Sequence, residues 1–116
     1  MIPSSGASAR DLIQIFRGVA RRTVVVSSMD VYRATAVLDR LDHGPLEPIP
    51  LTETSPLRAT AQTYPPAQLR ALQGLFGWLD DAYDKVAVER EAQGAPELPA
   101  TILRLPMVYG PGDPLH

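Results

Sequence analysis

The chain contains no cysteine. Disulfides, thiolate-held zinc and a thiol nucleophile are therefore excluded, and a reducing compartment is the natural reading. Neither charge sign dominates: 11 Lys and Arg face 13 Asp and Glu, a net charge of −2. That balance gives no electrostatic footprint for nucleic acid or an anionic membrane surface. No apolar run approaches the ~20 residues that span a bilayer. The N-terminal stretch reaches Arg10 and Asp11 before anything resembling a signal-peptide core, so a cytoplasmic protein is expected. His43 and His116 have no ligand-like spacing to carboxylates, and no metal site is expected. There is no Gly-x-Ser-x-Gly elbow. There is also no strand-linked glycine loop for a dinucleotide pyrophosphate, because Ser4-Ser5-Gly6-Ala7-Ser8 follows no strand and has the wrong pattern.

What remains is an ordinary globular composition, 45% hydrophobic and 21% charged, in 116 residues that fit one domain. Ser8-Ala9-Arg10-Asp11 has capping-box spacing. Behind it Leu12, Phe16, Val19 and Ala20, widened by Ile13 and Ile15, repeat at helical intervals. Thr23-Val24-Val25-Val26 then reads as a short strand buried on both faces, as in a parallel sheet.

Residues 39–66 change texture. Pro45, Pro48, Pro50, Pro56, Pro65 and Pro66 forbid regular helix and predict a long loop. Helical spacing returns with Leu69, Leu72, Phe76, Leu79, Ala82 and Val86, weakened at Gly74 and Gly77. Gly94-Ala95-Pro96 ends it, and Thr101-Ile102-Leu103-Arg104-Leu105 reads as a second buried strand. The order α-β-loop-α-β predicts two parallel strands, adjacent or one position apart. Helices around Leu12–Ala20 and Trp78–Ala92 should cover the sheet. Two strands are few for such a sheet, so an internal portion of a larger doubly wound α/β fold is expected, with exposed strand edges prone to self-association.

In open parallel sheets the ligand crevice lies beyond the carboxyl ends of the strands. Ser27 and Ser28 stand at that end of the first strand, and residues 106–110 at that end of the second. Asp81 and Lys85, four residues apart, read as an intrahelical ion pair. Tyr83, two residues from Lys85, would sit about 200° away on a helix and face elsewhere. Tyr64, in the long loop, is a further phenol that could enter the crevice.

Three segments in order carry a resemblance: Ser27-Ser28-Met29-Asp30-Val31-Tyr32 after its strand, Tyr83–Arg90 around Lys85 and Glu89, and Ile102–Gly112 with Arg104 and Val108-Tyr109-Gly110-Pro111. They resemble the middle stretch of the NAD-dependent epimerase/dehydratase family, the extended short-chain dehydrogenase/reductases. The weaker string Pro50-Leu51-Thr52-Glu53-Thr54-Ser55-Pro56 is also similar to a loop of that family. The resemblance implies a partial Rossmann-like fold, lacking the glycine-rich half, over residues 1–116. It implies NAD or NADP as cofactor of the intact relative, with no binding expected of this chain alone, and a nucleotide sugar or similar hydroxylated small molecule as that relative's substrate.

By the same resemblance Ser28 is a catalytic, substrate-binding hydroxyl, and Lys85 is a catalytic residue that holds the nicotinamide ribose. Ser27, Pro106 and Val108 line the cofactor, and Tyr109 meets the substrate. The family's acid/base tyrosine, four residues before the lysine, is here Asp81. An aspartate is already ionised at neutral pH and cannot donate a proton as a phenol does. An alternative function follows from that departure: a catalytically idle binding or interaction module, or a truncation product.

Overall fold

The computed structural model describes residues 1–61 and 64–112. Helix α1 (Gly6–Phe16) leads into strand β1 (Thr23–Ser28). A 3-10 turn over Met29–Val31 and helix α2 (Arg33–Leu38) follow. After an irregular stretch come α3 (Pro66–Leu75), α4 (Lys85–Gln93) and strand β2 (Ala100–Leu105). The two strands pair in parallel, with Thr23 opposite Ala100 and Ser28 opposite Leu105. The protein is thus an α/β structure around a two-stranded parallel sheet, as the order of elements predicts.

The start of α1 differs from expectation. Ser5, not Ser8, is the N-cap: its hydroxyl accepts from the Ser8 backbone N–H, while the Ser8 hydroxyl accepts from the Ser5 N–H. The box therefore sits one turn earlier than the Ser8–Asp11 spacing suggests. The helix ends at Phe16, and Gly18 takes a left-handed turn (φ 75°) that a side chain would strain. Val19 and Ala20 thus lie beyond the helix. Its buried face is Ala9 and Ile13 rather than the Leu12 stripe. The reason is close helix packing: a Cβ placed on Gly6 would lie 3.2 Å from the Ala87 Cβ of α4.

The expected helix across Leu69–Val86 is two helices. Residues 76–84 leave helical geometry between them, and the side chain of Asp84 caps α4 by accepting from the Val86 N–H at 3.0 Å. The segment is held by buried Leu79 and by a hydrogen bond from the Asp84 N–H to the Ser4 carbonyl.

Ala9, Val25, Val88 and Ala92 form one core cluster between α1, α4 and the sheet, and Ile13, Ala95 and Leu98 form a second. Among the described residues, only this face of the sheet is covered. On the other, Val24, Leu103 and Leu105 remain 48%, 46% and 41% exposed. The expectation of strands buried on both faces is therefore corrected, since α1 and α4 lie on the same side. The edge of β1 away from β2 is occupied in part. The Met1 ammonium donates to the Val24 carbonyl at 2.6 Å, and the Val26 N–H donates to the Met1 carbonyl at 2.9 Å. That is the hydrogen-bond pattern of a parallel neighbour.

Among the described residues, 39–61 and 64–65 hold no helix or strand, as the prolines predict, although Pro66, expected in the loop, opens α3; the stretch is pinned. Tyr32 and Leu57 form an antiparallel bridge, Arg58 N–H donates to the Val31 carbonyl, and Arg33 pairs with Glu47. The C-terminal residues 113–116, including His116, lie outside the described residues.

Leu98 is 1% exposed, so Leu98→Ala is expected to cost about 3 kcal/mol in chemical denaturation. Val24→Thr on the uncovered face is expected to stay within about 0.5 kcal/mol of the parent.

Candidate functional site

At the carboxyl end of β1 the chain turns sharply. The Ser28 hydroxyl caps this turn by accepting from the Asp30 N–H at 3.2 Å, which aims the Asp30 carboxylate towards the start of α4. Two phenols converge on one oxygen of that carboxylate. Tyr64 donates to Asp30 Oδ2 at 2.7 Å and Tyr83 donates to the same atom at 3.3 Å. The two rings stack with centroids 5.7 Å apart. The Ser28 side chain stands near the Tyr83 phenol.

Tyr83 reaches this place because it precedes α4 rather than lying on it. With Asp84 as N-cap, the helical-wheel separation from Lys85 does not apply, and the expectation that Tyr83 faces elsewhere is overturned. The Lys85 Nζ stands 5.8 Å from the Tyr83 ring centroid. It donates to the carbonyls of Pro3 at 2.6 Å and Val26 at 3.2 Å. The ion pair expected between Asp81 and Lys85 does not form. Asp81 also lies outside the helix, and it accepts from Gln73 Nε2 at 2.9 Å.

Arg58 is 4% exposed. It donates to the Asp30 carbonyl at 3.0 Å, to the Thr60 carbonyl and to Asp84 Oδ1 at 2.6 Å. One guanidinium thereby ties the proline-rich stretch to the strand-end turn and to the cap of α4. Burial, followed by the nearby Asp30 charge, pushes both Tyr64 and Tyr83 well above the ordinary phenol value. Burial lowers the Lys85 ammonium, against the opposing pull of Asp30. Burial likewise raises Asp39, with a smaller contribution from the Asp30 charge.

A second buried network lies beneath the sheet. Glu89, 1% exposed, accepts from Ser27 Oγ at 2.6 Å, from Arg104 Nε at 3.0 Å and from Arg104 Nη2 at 2.9 Å. Ser27 and Arg104 are cross-strand partners. The Arg104 guanidinium also lies 4.9 Å from the Tyr32 ring centroid. Hydrogen bonding to Glu89 raises Arg104 further above its ordinary value.

The structure thus brings Ser28 and Lys85 together with Tyr83, Tyr64, Asp30 and Arg58. It does not bring Ser27 to the same place, because its hydroxyl turns inward to Glu89. Pro106, Val108 and Tyr109 lie on the exposed segment after β2, with Val108 75% and Tyr109 74% exposed. Sequence reasoning missed Asp30, Arg58 and Tyr83. The signal for Tyr83 was Asp84, a strong N-cap residue that starts the helix one position later.

A hollow of about 600 Å³ opens beside the tyrosine stack, lined among others by Tyr64, Tyr83, Asp81, Asp84 and Gly6. That volume is in the range of small-molecule sites. Among the described residues no group of three or more His, Cys, Asp and Glu is placed to hold a metal ion. No described helix is long and apolar enough to cross a membrane. Comparison with protein-family models, with curated proteins and with solved structures finds no match to this chain.

Two outcomes are expected. Arg104→Met strands Glu89 as an unpaired buried charge and should cost about 3 kcal/mol in denaturant titration. The second concerns alkaline pH. Tyr64 and Tyr83 hold their protons more tightly folded than unfolded, so their stabilisation is complete below the ordinary phenol value of 10.0 and drains as pH rises above it. Lys85, lowered by burial, works in the opposite sense, adding stability as pH rises towards 10.5. Once the Lys85 contribution is complete near 10.5, only the phenol loss remains, so the denaturation midpoint should fall as pH rises above about 10.5. It should fall less in Tyr83→Phe.

Proposed function

We propose that this chain carries the serine- and lysine-bearing portion of an NAD(P)-dependent epimerase/dehydratase-type protein with a Rossmann-like fold, its intact relatives acting on a nucleotide sugar or similar hydroxylated substrate by hydride transfer. The observation that carries the reading is that Tyr83 stands between Asp30, on the turn that Ser28 caps, and the Lys85 ammonium, where β1 ends. Sequence resemblance assigns Ser28 and Lys85 to that role, and geometry adds a phenol between them. The position four residues before Lys85 is Asp81, so Tyr83 supplies from a turn the hydroxyl that the family supplies from a helix.

The residues this reading assigns to the nicotinamide end are Ser28 and Lys85, the latter only 3% exposed. Lys85 has three N–H donors and spends two on Pro3 and Val26, leaving one for a ribose hydroxyl. They do not fit the pyrophosphate, for which the sequence holds no glycine-rich loop. When bound, the nicotinamide accepts or gives the hydride. Ser28 orients the substrate hydroxyl by hydrogen bonding, and Tyr83 shares the proton of that hydroxyl. The exposed segment with Pro106, Val108 and Tyr109 would close over cofactor and substrate. The partner is thus a small molecule in the cytoplasm, and self-association would run through the free edge of β2.

One observation favours the idle-module reading instead. The Lys85 ammonium is buried against two backbone carbonyls, and Tyr83 stays protonated far above neutral pH. Two titrations separate the readings. NADH, followed by calorimetry, is expected to show no saturable micromolar binding, because the pyrophosphate has no seat. Reduced nicotinamide mononucleotide lacks the adenylate half; at millimolar concentration it should shift amide resonances at Ser28, Tyr83 and Lys85. Lys85→Met should abolish those shifts. Absence of any shift in the parent would favour the idle module.

A further inference from the structure

A second hollow, of about 470 Å³, opens at the amino end of β1, the opposite end of the strand from the tyrosine pair. Ile2 from the N-terminal segment, Leu12 and Phe16 from α1, and Val24 from β1 supply its large apolar walls. Backbone hydrogen bonds hold those walls in place. The Met1 ammonium on the Val24 carbonyl sets Ile2 beside the strand. Where the left-handed Gly18 folds the chain back, the Ala20 N–H donates to the Phe16 carbonyl at 2.8 Å. The groove is therefore formed before any ligand enters, yet Ile2, Phe16 and Val24 remain exposed.

Its charge is of one sign. Arg22 is the single ionisable side chain on the lining, and it too is exposed. From Leu12 to Met29 the sequence holds Arg17, Arg21 and Arg22 and no acidic residue, a local excess that the overall charge of −2 conceals. Ion pairs among the described residues engage Arg10, Arg33, Arg58 and Arg104 instead. No described residue forms a hydrogen bond or ion pair with the side chains of these three arginines.

We propose that this groove binds a single-chain anionic amphiphile of the fatty-acid class. Ile2, Leu12, Phe16 and Val24 take the hydrocarbon, and Arg22 pairs with the carboxylate. The volume lies in the range of small-molecule sites. A guanidinium suits the head group, because it presents two parallel donors to a carboxylate and is weakly hydrated. A second copy of the chain is a poor occupant. A two-fold contact over the groove would set Arg21 and Arg22 against their own duplicates, with no acid on the lining to separate them. The site shares no residue with the tyrosine cluster, so the proposal and the NAD(P) reading stand or fall separately.

The test uses the full chain, labelled with ¹⁵N and titrated with decanoate below its micelle concentration. Decanol and decyltrimethylammonium serve as neutral and cationic probes of the same chain length. Saturable amide shifts are expected at Ile2, at Leu12–Ala20 and at Arg22–Val24, with decanoate binding about fivefold more tightly than decanol and the cation more weakly than either. Arg22→Gln should remove the preference for decanoate and leave decanol affinity unchanged, and Arg22→Lys should keep part of it. Equal affinity for the three head groups, or shifts confined to other residues, would overturn the proposal. So would binding to phosphatidylglycerol vesicles without any decanoate shift, which would make the patch a membrane contact. Dimer-sized diffusion with an unresponsive groove would overturn it in favour of a second copy. The head-group series needs no variant, so it decides even if Arg22→Gln fails to fold.

Discussion

Glu89 sits inside the protein with three hydrogen bonds on its carboxylate, one from Ser27 on β1 and two from Arg104 on β2. Because Ser27 and Arg104 face each other across the sheet, one side chain of α4 grips both strands near their carboxyl ends. Burying a charge is costly, and the attraction to Arg104 offsets that cost only in good geometry. The network therefore fixes where α4 lies more than it adds stability. Arg104 extends the grip outward by donating to the Glu53 carbonyl at 2.9 Å, which ties in the loop that follows α2.

Everything at the candidate site depends on that placement. Glu89 lies one helical turn after Lys85, so seating Glu89 beneath the sheet seats the start of α4 beside the end of β1. Asp84 then accepts from Arg58, which donates to the Asp30 carbonyl, and the Lys85 ammonium donates to the Val26 carbonyl. The N-terminal segment is drawn in as well, through the Pro3 carbonyl on Lys85 and the Ser4 carbonyl on the Asp84 N–H. Ordered tyrosines follow from packing between these fixed groups.

Much of this was legible in the sequence. The β-branched run at Thr23–Val26 and the apolar run at Thr101–Leu105 identify the strands, and their parallel pairing follows from the helix between them. The proline cluster marks the irregular stretch. What was not legible depends on tertiary contact. Helical periodicity continues from Leu69 to Val86, yet the Asp84 cap and the burial of Leu79 break it. The apolar stripe on α1 points to Leu12, yet the small face of Gly6 and Ala9 wins because it allows close approach to Ala87. One-sided burial of the sheet could not be read from all-apolar strands. At the site, Ser28 and Lys85 stood out by motif. Asp30 and Arg58 look like ordinary surface charges until the turn and the loop bring them inward.

The claim on which the account turns is that Tyr83 lies on the turn before α4 and faces the end of β1. A nuclear Overhauser spectrum of the labelled chain tests it directly. Contacts from the Tyr83 ring to the Tyr64 ring and to side-chain protons of Ser28 and Lys85 are the predicted result. Helical contacts running without a break from Leu79 through Val86, with the Tyr83 ring touching none of these residues, would contradict it.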